Sequence, residues 1–403
     1  MNGPLAGVRV LDLTSVVVGP FATQILGDHG ADVIKVEAPG GDQGRYLSGA
    51  ARHHGMAWKY LHLNRSKRSI VLDLKHPDGH AALLALIRDA DVLVYNIRPA
   101  AMARLKLSWD EVRAVNPRII YAGTFGFGQG GRYAARPAYD PMLQGLSGAV
   151  ALNEAAIGEA RYVPFMLADR SVGLIAAYAI SMALYAREKS GVGEAIEIPM
   201  FENMVGILMA EHLHSASFAG AGVPGGEPTI GDPRLLDRNF RPTRTVDGFI
   251  CISLNTDRQA HAFFDVIGEP ELKTDPKFAT MSARAANASE WLALRARVLA
   301  TRTNAQWIEA LSGADVPHAP VQSLDQVRSD PHLADVGLFA SQTHESEGAL
   351  VQIGVPNRFS DSGAPDWRGA PRLGQHTREV LQGAGFSPQA IERMIAAGAA
   401  SAE

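Results

Sequence analysis

The stretch "VRVLDLTSVVVGPFATQILGDHGADVIKVE", Val8 to Glu37, decides the fold. "VRVLDLT" is a short apolar strand, "VGPFATQILGDHGA" reads as a helix opened by Pro20, and "DVIKVE" is a second strand. Strand, helix and strand joined this closely make a βαβ unit, whose two strands run parallel in one sheet. The pattern then repeats. "SIVLDL" reads as strand, "GHAALLALIRDA" as helix, "DVLVYN" as strand, "WDEVRAVNP" as helix and "IIYAGT" as strand. Strands alternating with helices predict a parallel sheet covered on both faces. A Gly-rich loop, a long helix after Asp169 and the strand "AIEIPMF" complete a doubly wound, Rossmann-like α/β body over roughly the first half of the chain.

Composition shifts at "AGAGVPGGEPTIGDPRLLDRNFRPT", where Gly and Pro cluster. A smaller α+β region follows, with the strand "FICISL" and helices around "RQAHAFFDVIG" and "WLALRARVLA". The expected division is a large domain over 1–220, a small domain with its linkers over 221–325, and a return to the large domain over 326–403. The tail closes on "SPQAIERMIAAGA", where Ser387 can cap a helix and Pro388 sits at its first position.

Of the 403 residues, 46% are hydrophobic and 20% charged, as in ordinary globular proteins. The net charge of -4 argues against a general nucleic-acid binder. A single cysteine, Cys251, excludes an intrachain disulfide framework and a cysteine-based zinc site, and fits a reducing cytoplasm. The start lacks a basic segment followed by a long apolar one, so no secretory signal is expected. No run of about 18 apolar residues is free of charged or polar breaks, so no membrane span is expected. The Leu174–Leu184 run reads as part of a buried helix.

Several stretches carry possible chemistry. "GFGQGG" matches G-x-G-x-x-G at Gly126, Gly128 and Gly131, but Pro137 follows instead of a long helix, so a connecting loop is the better reading. His53–His54 and His212–His214 lack the i, i+4 spacing and acidic partner of a helical zinc site, and no G-x-S-x-G elbow appears. "NRSKRS" (Asn64 to Ser69) is basic and is followed by Lys75; "NIRPAAMARL" adds Arg98 and Arg104. These cations sit near strand ends, where they suit either phosphates or a solvated surface. Asp140 stands between Tyr139 and Pro141 and reads equally as a turn or cap residue. Asp169 interrupts the apolar run "YVPFMLADRSVGLIAAYAISMALYA" just where a helix begins. It is expected to be the helix N-cap, and an ionised carboxylate there can also be a covalent nucleophile. Helical geometry points Arg170 away from Asp169, which suggests a structural role.

Taken together, these segments resemble the family III CoA-transferases. The resemblance rests on "GVRVLDLTSVVVGPFATQILGDHGADVIKVEAPGGD", "NRSKRSIVLDLK", "YNIRPAAMARLKL", "AYDPMLQGLSG", "ADRSVGLIAA", "GVGEAIEIPMFE", "APVQSLDQVRSDPHLADVGLF" and "PRLGQHTREVL", in this order and spacing. It implies Asp169 as the catalytic aspartate and Asp140 as a second acidic position of the site. It implies CoA binding around Val16, Val17 and Val18 and at the positions of Lys75, Asn96 and Arg104, to which Arg98 is added. It implies an aspartyl anhydride and an aspartyl-CoA thioester as intermediates. It also implies an interlocked homodimer with the small domain inserted in the large one. Coenzyme A enters as part of the substrate, and no permanently bound cofactor, metal, nucleic acid or membrane is expected.

Three departures point away from an oxalate or formate substrate: Val17 where such relatives carry glutamine, Ser48 where they carry tryptophan, and no glycine run near "SLNTDRQ". Ala38 replaces an arginine that some relatives place near CoA. Arg45 and Arg241 are candidates to hold a second substrate carboxylate. The alternatives are an α-methylacyl-CoA racemase of the same family and a non-catalytic CoA-binding protein. The racemase branch uses a histidine where this chain has Tyr139, and tyrosine, with a reference pKa of about 10, is a poor base at neutral pH.

Overall fold

The computed structural model describes residues 3–47, 49–219, 227–362 and 367–403. The chain divides into two compact units. One comprises residues 1–147, 163–207 and 334–403; the other comprises 148–162 and 208–333. The expected boundary at 220/221 and the Ser48 position lie outside the described residues.

The first unit is built on strands β1 (Arg9–Leu13), β2 (Asp32–Glu37), β3 (Lys67–Leu72), β4 (Val92–Tyr95), β5 (Ile120–Phe125) and β6 (Ala195–Pro199). They run parallel in the order β3-β2-β1-β4-β5-β6, and the strand Ala400–Ser401 pairs antiparallel with β3. Strand order reverses between β1 and β4, so the loops leaving their carboxyl ends diverge and open a crevice.

Alternation along the first three strands gives the sheet two unlike faces. Leu11, Leu13, Ile34, Val36, Ile70 and Leu72 enter the apolar core under the helix Pro77–Arg88. The opposite face carries Asp12, Lys35, Glu37, Lys67 and Ser69, all buried. Asp12 stands opposite Lys35 in the β1–β2 register. The Lys67 ammonium donates to Asp12 Oδ2, Asn64 Oδ1 and the Pro20 carbonyl, each at 2.9 Å. Thr23 on the helix Val18–Asp28 donates to Asp12 Oδ2 at 2.7 Å. Arg45 forms a 2.7 Å ion pair with Glu37 and is 1% exposed.

This layer corrects two expectations. The basic run "NRSKRS" is spent on ion pairs within the chain: Arg65 pairs with Asp28 and Lys67 with Asp12 in the interior, and Arg68 with Asp32 and Glu379 towards the surface. Arg45 is buried against Glu37 and the Tyr60 hydroxyl, so it is no substrate-binding arginine.

The helix Leu167–Ser190 packs on Val18–Asp28 through Gly173. A Cβ at Gly173 would lie 2.8 Å from Phe21 Cδ1 and 3.0 Å from the Val18 carbonyl oxygen, so only glycine permits this approach. By length and mean hydropathy (1.3) this helix could cross a membrane, yet 44% of that window is buried inside the chain. The buried helix expected from the Leu174–Leu184 run is buried on one side only. Leu174, Tyr178, Met182 and Tyr185, at spacings of four, four and three, remain exposed along one face.

The second unit has an antiparallel sheet of Thr243–Arg244, Phe249–Ile252 and His318–Pro320. Its helices Asp257–Ile267, Ala288–Leu299 and Asn304–Gly313 bury Phe263, Phe264, Trp291 and Trp307 in a core of its own.

Candidate active site

A cleft of about 600 Å³ opens at the carboxyl ends of the first unit's strands, at the reversal between β1 and β4. One wall is the loop Thr14–Val17. Val16 has φ 71°, a conformation costly for a β-branched residue. Neighbouring side chains enforce it. Asp42 Oδ1 accepts from the N–H of Val16 at 3.0 Å and of Gly44 at 2.7 Å. Lys35 pairs with the other oxygen of Asp42 at 2.9 Å and donates to the Thr14 carbonyl at 2.9 Å. Asn96 accepts from the Ser15 N–H at 3.1 Å and donates back to the Ser15 carbonyl at 2.9 Å. The N–H groups of Val17 and Val18 have no acceptor among the described residues and lie at the positive end of the following helix.

Of the residues singled out in the sequence, Val16, Val17, Val18, Lys75, Asn96, Arg98, Tyr139 and Asp169 line this cleft. Asp140 and Arg104 do not; Arg104 is exposed in the last turn of the helix Pro99–Arg104. Ala38 lies on the cleft wall, as does Arg136, which the sequence did not flag and which stacks on Tyr133 at 4.0 Å. Lys75, Arg98 and Arg136 form no ion pair among the described residues, in contrast to the spent cations of β3.

Asp169 sits in the first turn of Leu167–Ser190 but is not its cap. That role belongs to Asp140, which reaches over from the helix Asp140–Leu146. Asp140 Oδ1 accepts from the N–H of Ala168 at 2.7 Å and of Asp169 at 3.1 Å, and Gln144 Nε2 donates to Oδ2 at 2.7 Å. Asp140 is 3% exposed, and its oxygens are occupied. The side chain of Asp169 accepts no hydrogen bond among the described residues. Burial, reinforced by the neighbouring Asp140 charge, lifts its carboxyl to about 7; Arg170 and Lys59 pull the other way and lose. The helix terminus therefore does not keep this carboxylate in its ordinary range, contrary to the sequence expectation. Arg170 stacks on Phe21 at 4.5 Å, tying its helix to Val18–Asp28.

The Gly-rich loop is committed elsewhere. Glu202 Oε1 accepts from the Gly128 N–H at 2.8 Å, and Glu197 accepts from the Gln129 N–H. Amides already holding protein carboxylates are not a phosphate cradle. Among the described residues, no group of three or more His, Cys, Asp or Glu side chains could hold a metal ion.

A strained loop with free amides, unpaired cations and one unsatisfied carboxylate can hold a phosphorylated substrate beside a nucleophile. Comparison with known proteins agrees in kind. The family model for CoA-transferase family III matches residues 5–377. The chain is 33% identical to an acyl-CoA transferase of Fusarium pseudograminearum, over 97% of this chain and 87% of that one. It is 32% identical to a formyl-CoA:oxalate CoA-transferase of Bradyrhizobium diazoefficiens, over 99% and 98% respectively. A crystal structure of a CAIB/BAIF family protein from Brucella suis superposes with a TM-score of 0.77 at 29% identity, covering 95% of this chain and all of that one. The chain belongs to CoA-transferase family III and is an enzyme of that class.

Proposed function

We propose that this enzyme passes coenzyme A from an acyl-CoA thioester to a free carboxylic acid, with Asp169 as the covalent carrier. The observation that carries this reading is the state of Asp169: a cleft-lining carboxylate with no hydrogen-bond donor on it among the described residues and an affinity for protons raised to about 7. Such a group is about half ionised at neutral pH, and in its ionised form it keeps its lone pairs free to attack.

The Asp169 carboxylate attacks the thioester carbonyl and expels CoA thiolate, leaving a mixed anhydride. The thiolate then attacks the aspartyl carbonyl. Aspartyl-CoA thioester forms, and the donor acid leaves with one Asp169 oxygen. The acceptor carboxylate attacks this thioester, releasing thiolate and forming a second anhydride. Attack of thiolate on the acceptor's acyl carbonyl yields the new acyl-CoA and restores the Asp169 carboxylate. The unpaired N–H groups of Val17 and Val18 would serve an oxyanion or a CoA phosphate. Lys75, Arg98 and Arg136 supply charge for the CoA phosphates, and Arg104 is proposed at the outer end of that path. Asn96 braces the loop, Asp140 fixes the turn that presents Asp169, and Tyr139 stands at the cleft mouth beside the acyl group.

We further propose an interlocked homodimer with the small domain inserted in the large one. The exposed stripe of Leu174, Tyr178, Met182 and Tyr185 supports burial against a second copy, since apolar patches of this kind mark interaction surfaces. Cys251 is free and exposed, which fits the reducing cytoplasm proposed as the site of action.

The test is trapping with hydroxylamine in the presence of acyl-CoA and no acceptor. The expected product is an Asp169 hydroxamate found by peptide mass spectrometry and lost in Asp169→Ala. No adduct, with solvent deuterium entering the α-carbon, would instead indicate the racemase. CoA binding without exchange into any acid would indicate a binding protein.

A further inference from the structure

A second cleft, of about 720 Å³, lies wholly within the second unit. Its floor is apolar and includes Leu254, Trp291 and Leu292, each buried. Its charge is of one sign: four arginines and no acidic residue line it. These arginines are not equivalent. Arg284 is committed, donating to the Phe278 carbonyl at 2.8 Å and to Asp257 Oδ1 at 2.6 Å. Arg234 and Arg241 make no ion pair among the described residues, and Arg234 lies over the Phe240 ring at 5.6 Å.

Arg295 is the unusual member. Its Nη2 donates to the Ile252 carbonyl at 2.7 Å, while its Nε is buried with no acceptor. No carboxylate lies against it among the described residues, and burial alone pulls its guanidinium down to about 10. A desolvated cation without a counter-ion is expensive to keep unless something uses it.

We propose that this cleft binds an organic acid, with Arg295 taking the carboxylate, Arg241 joining from the rim, and the floor around Trp291 receiving the acid's apolar body. A guanidinium fork matches a carboxylate in shape and charge. The volume is that of a small-molecule site. The apolar floor selects an acid with a hydrocarbon portion over a bare inorganic anion. The assignment goes beyond the transfer chemistry proposed for Asp169 and does not require it, because binding alone is the readout.

The experiment is isothermal titration of the full chain with glutarate, phenylacetate, inorganic phosphate and 3′,5′-ADP. At least one of the two acids is expected to bind, and equally well to Asp169→Asn. Arg295→Met should weaken it ~10-fold or more, and Arg241→Ala by a smaller factor. If Arg295→Met fails to fold, Arg295→Lys, which keeps the charge but not the fork, together with Arg241→Ala, decides the matter. The proposal is overturned if neither acid binds at millimolar concentration, or if binding is indifferent to these substitutions. It is also overturned if 3′,5′-ADP or phosphate binds through Arg295 and displaces the acids, which would make the cleft a phosphate site.

Discussion

Asp12 and Asp169 are both removed from much of the solvent, and the protein treats them in opposite ways. Burial would raise the Asp12 carboxyl, but Lys67, Lys35 and the hydroxyls of Thr14 and Thr23 overcome it and hold the group well below the usual carboxylate range. Burial raises Asp169 as well, and there the strongest of the surrounding charges, Asp140, adds to the rise. One carboxylate is saturated with donors and fixes the loop under the cleft. The other is stripped of them and left with a use for its lone pairs. A buried carboxylate without donors is a better sign of chemistry than a buried carboxylate as such.

The contrast can be broken at its ends. The largest expected effect is on catalysis: Asp169→Ala should lower CoA exchange ~10³-fold or more while the protein remains folded, measured by mass spectrometry of acyl-CoA products. Next, Lys67→Met leaves Asp12 buried without its main counter-charge and should cost about 3–5 kcal/mol in chemical denaturation. The double variant Asp12→Leu with Lys67→Met should recover part of that loss.

Asp169→Asn tests the same contrast through stability. The folded-state value of about 7 lies above the ordinary aspartate value of 3.8 that an unfolded chain retains, so the fold prefers the protonated acid. Its contribution is greatest below pH ~4, declines as pH rises towards 7, and is constant above. The asparagine variant should therefore gain roughly 1–3 kcal/mol at pH 8 and nothing at pH 4, with solvent access to this half-buried group reducing the full linkage figure. In the wild type, kcat should rise with pH through about 7 as the nucleophile ionises.

Asp140→Ala should cost ~1 kcal/mol through the lost cap and move that pH limb to lower values, because it removes the neighbouring charge. The smallest change in stability is expected for Arg98→Ala and Lys75→Ala, within about 0.5 kcal/mol. Their signature is a raised KM for acyl-CoA that weakens with added salt.

How far the sequence could be read follows from how local each signal is. β1, β2 and the helix between them were legible because strand and helix periodicity lie within thirty-odd adjacent residues. The Ser387 cap is likewise local, and its side chain does accept from the Ala390 N–H. The cap of Leu167–Ser190 was misread, because Asp140 reaches it from 28 residues upstream. The ionic face was missed for a similar reason. "DVIKVE" and "KRSIVL" each hide a polar residue on one face, but only the sheet brings Asp12, Lys35 and Lys67 together, turning much of a basic run into ion pairs within the chain. Arg136 fell in a loop whose glycines drew attention to a motif that does not operate. The identity of the acid pair left no short-range pattern beyond the departures at Val17, Ser48 and "SLNTDRQ", since the residues of a binding cleft are contiguous only after folding.

The proposed carrier role of Asp169 can be read from the path of an oxygen atom. Turnover with an acceptor acid labelled with ¹⁸O in its carboxylate, followed by proteolysis and mass spectrometry, follows that atom into the protein. The anhydride sequence predicts one heavy oxygen in the Asp169 carboxylate, passed to the donor acid in the next turnover. Full CoA exchange with no label ever entering the Asp169 peptide or the released donor acid would contradict it.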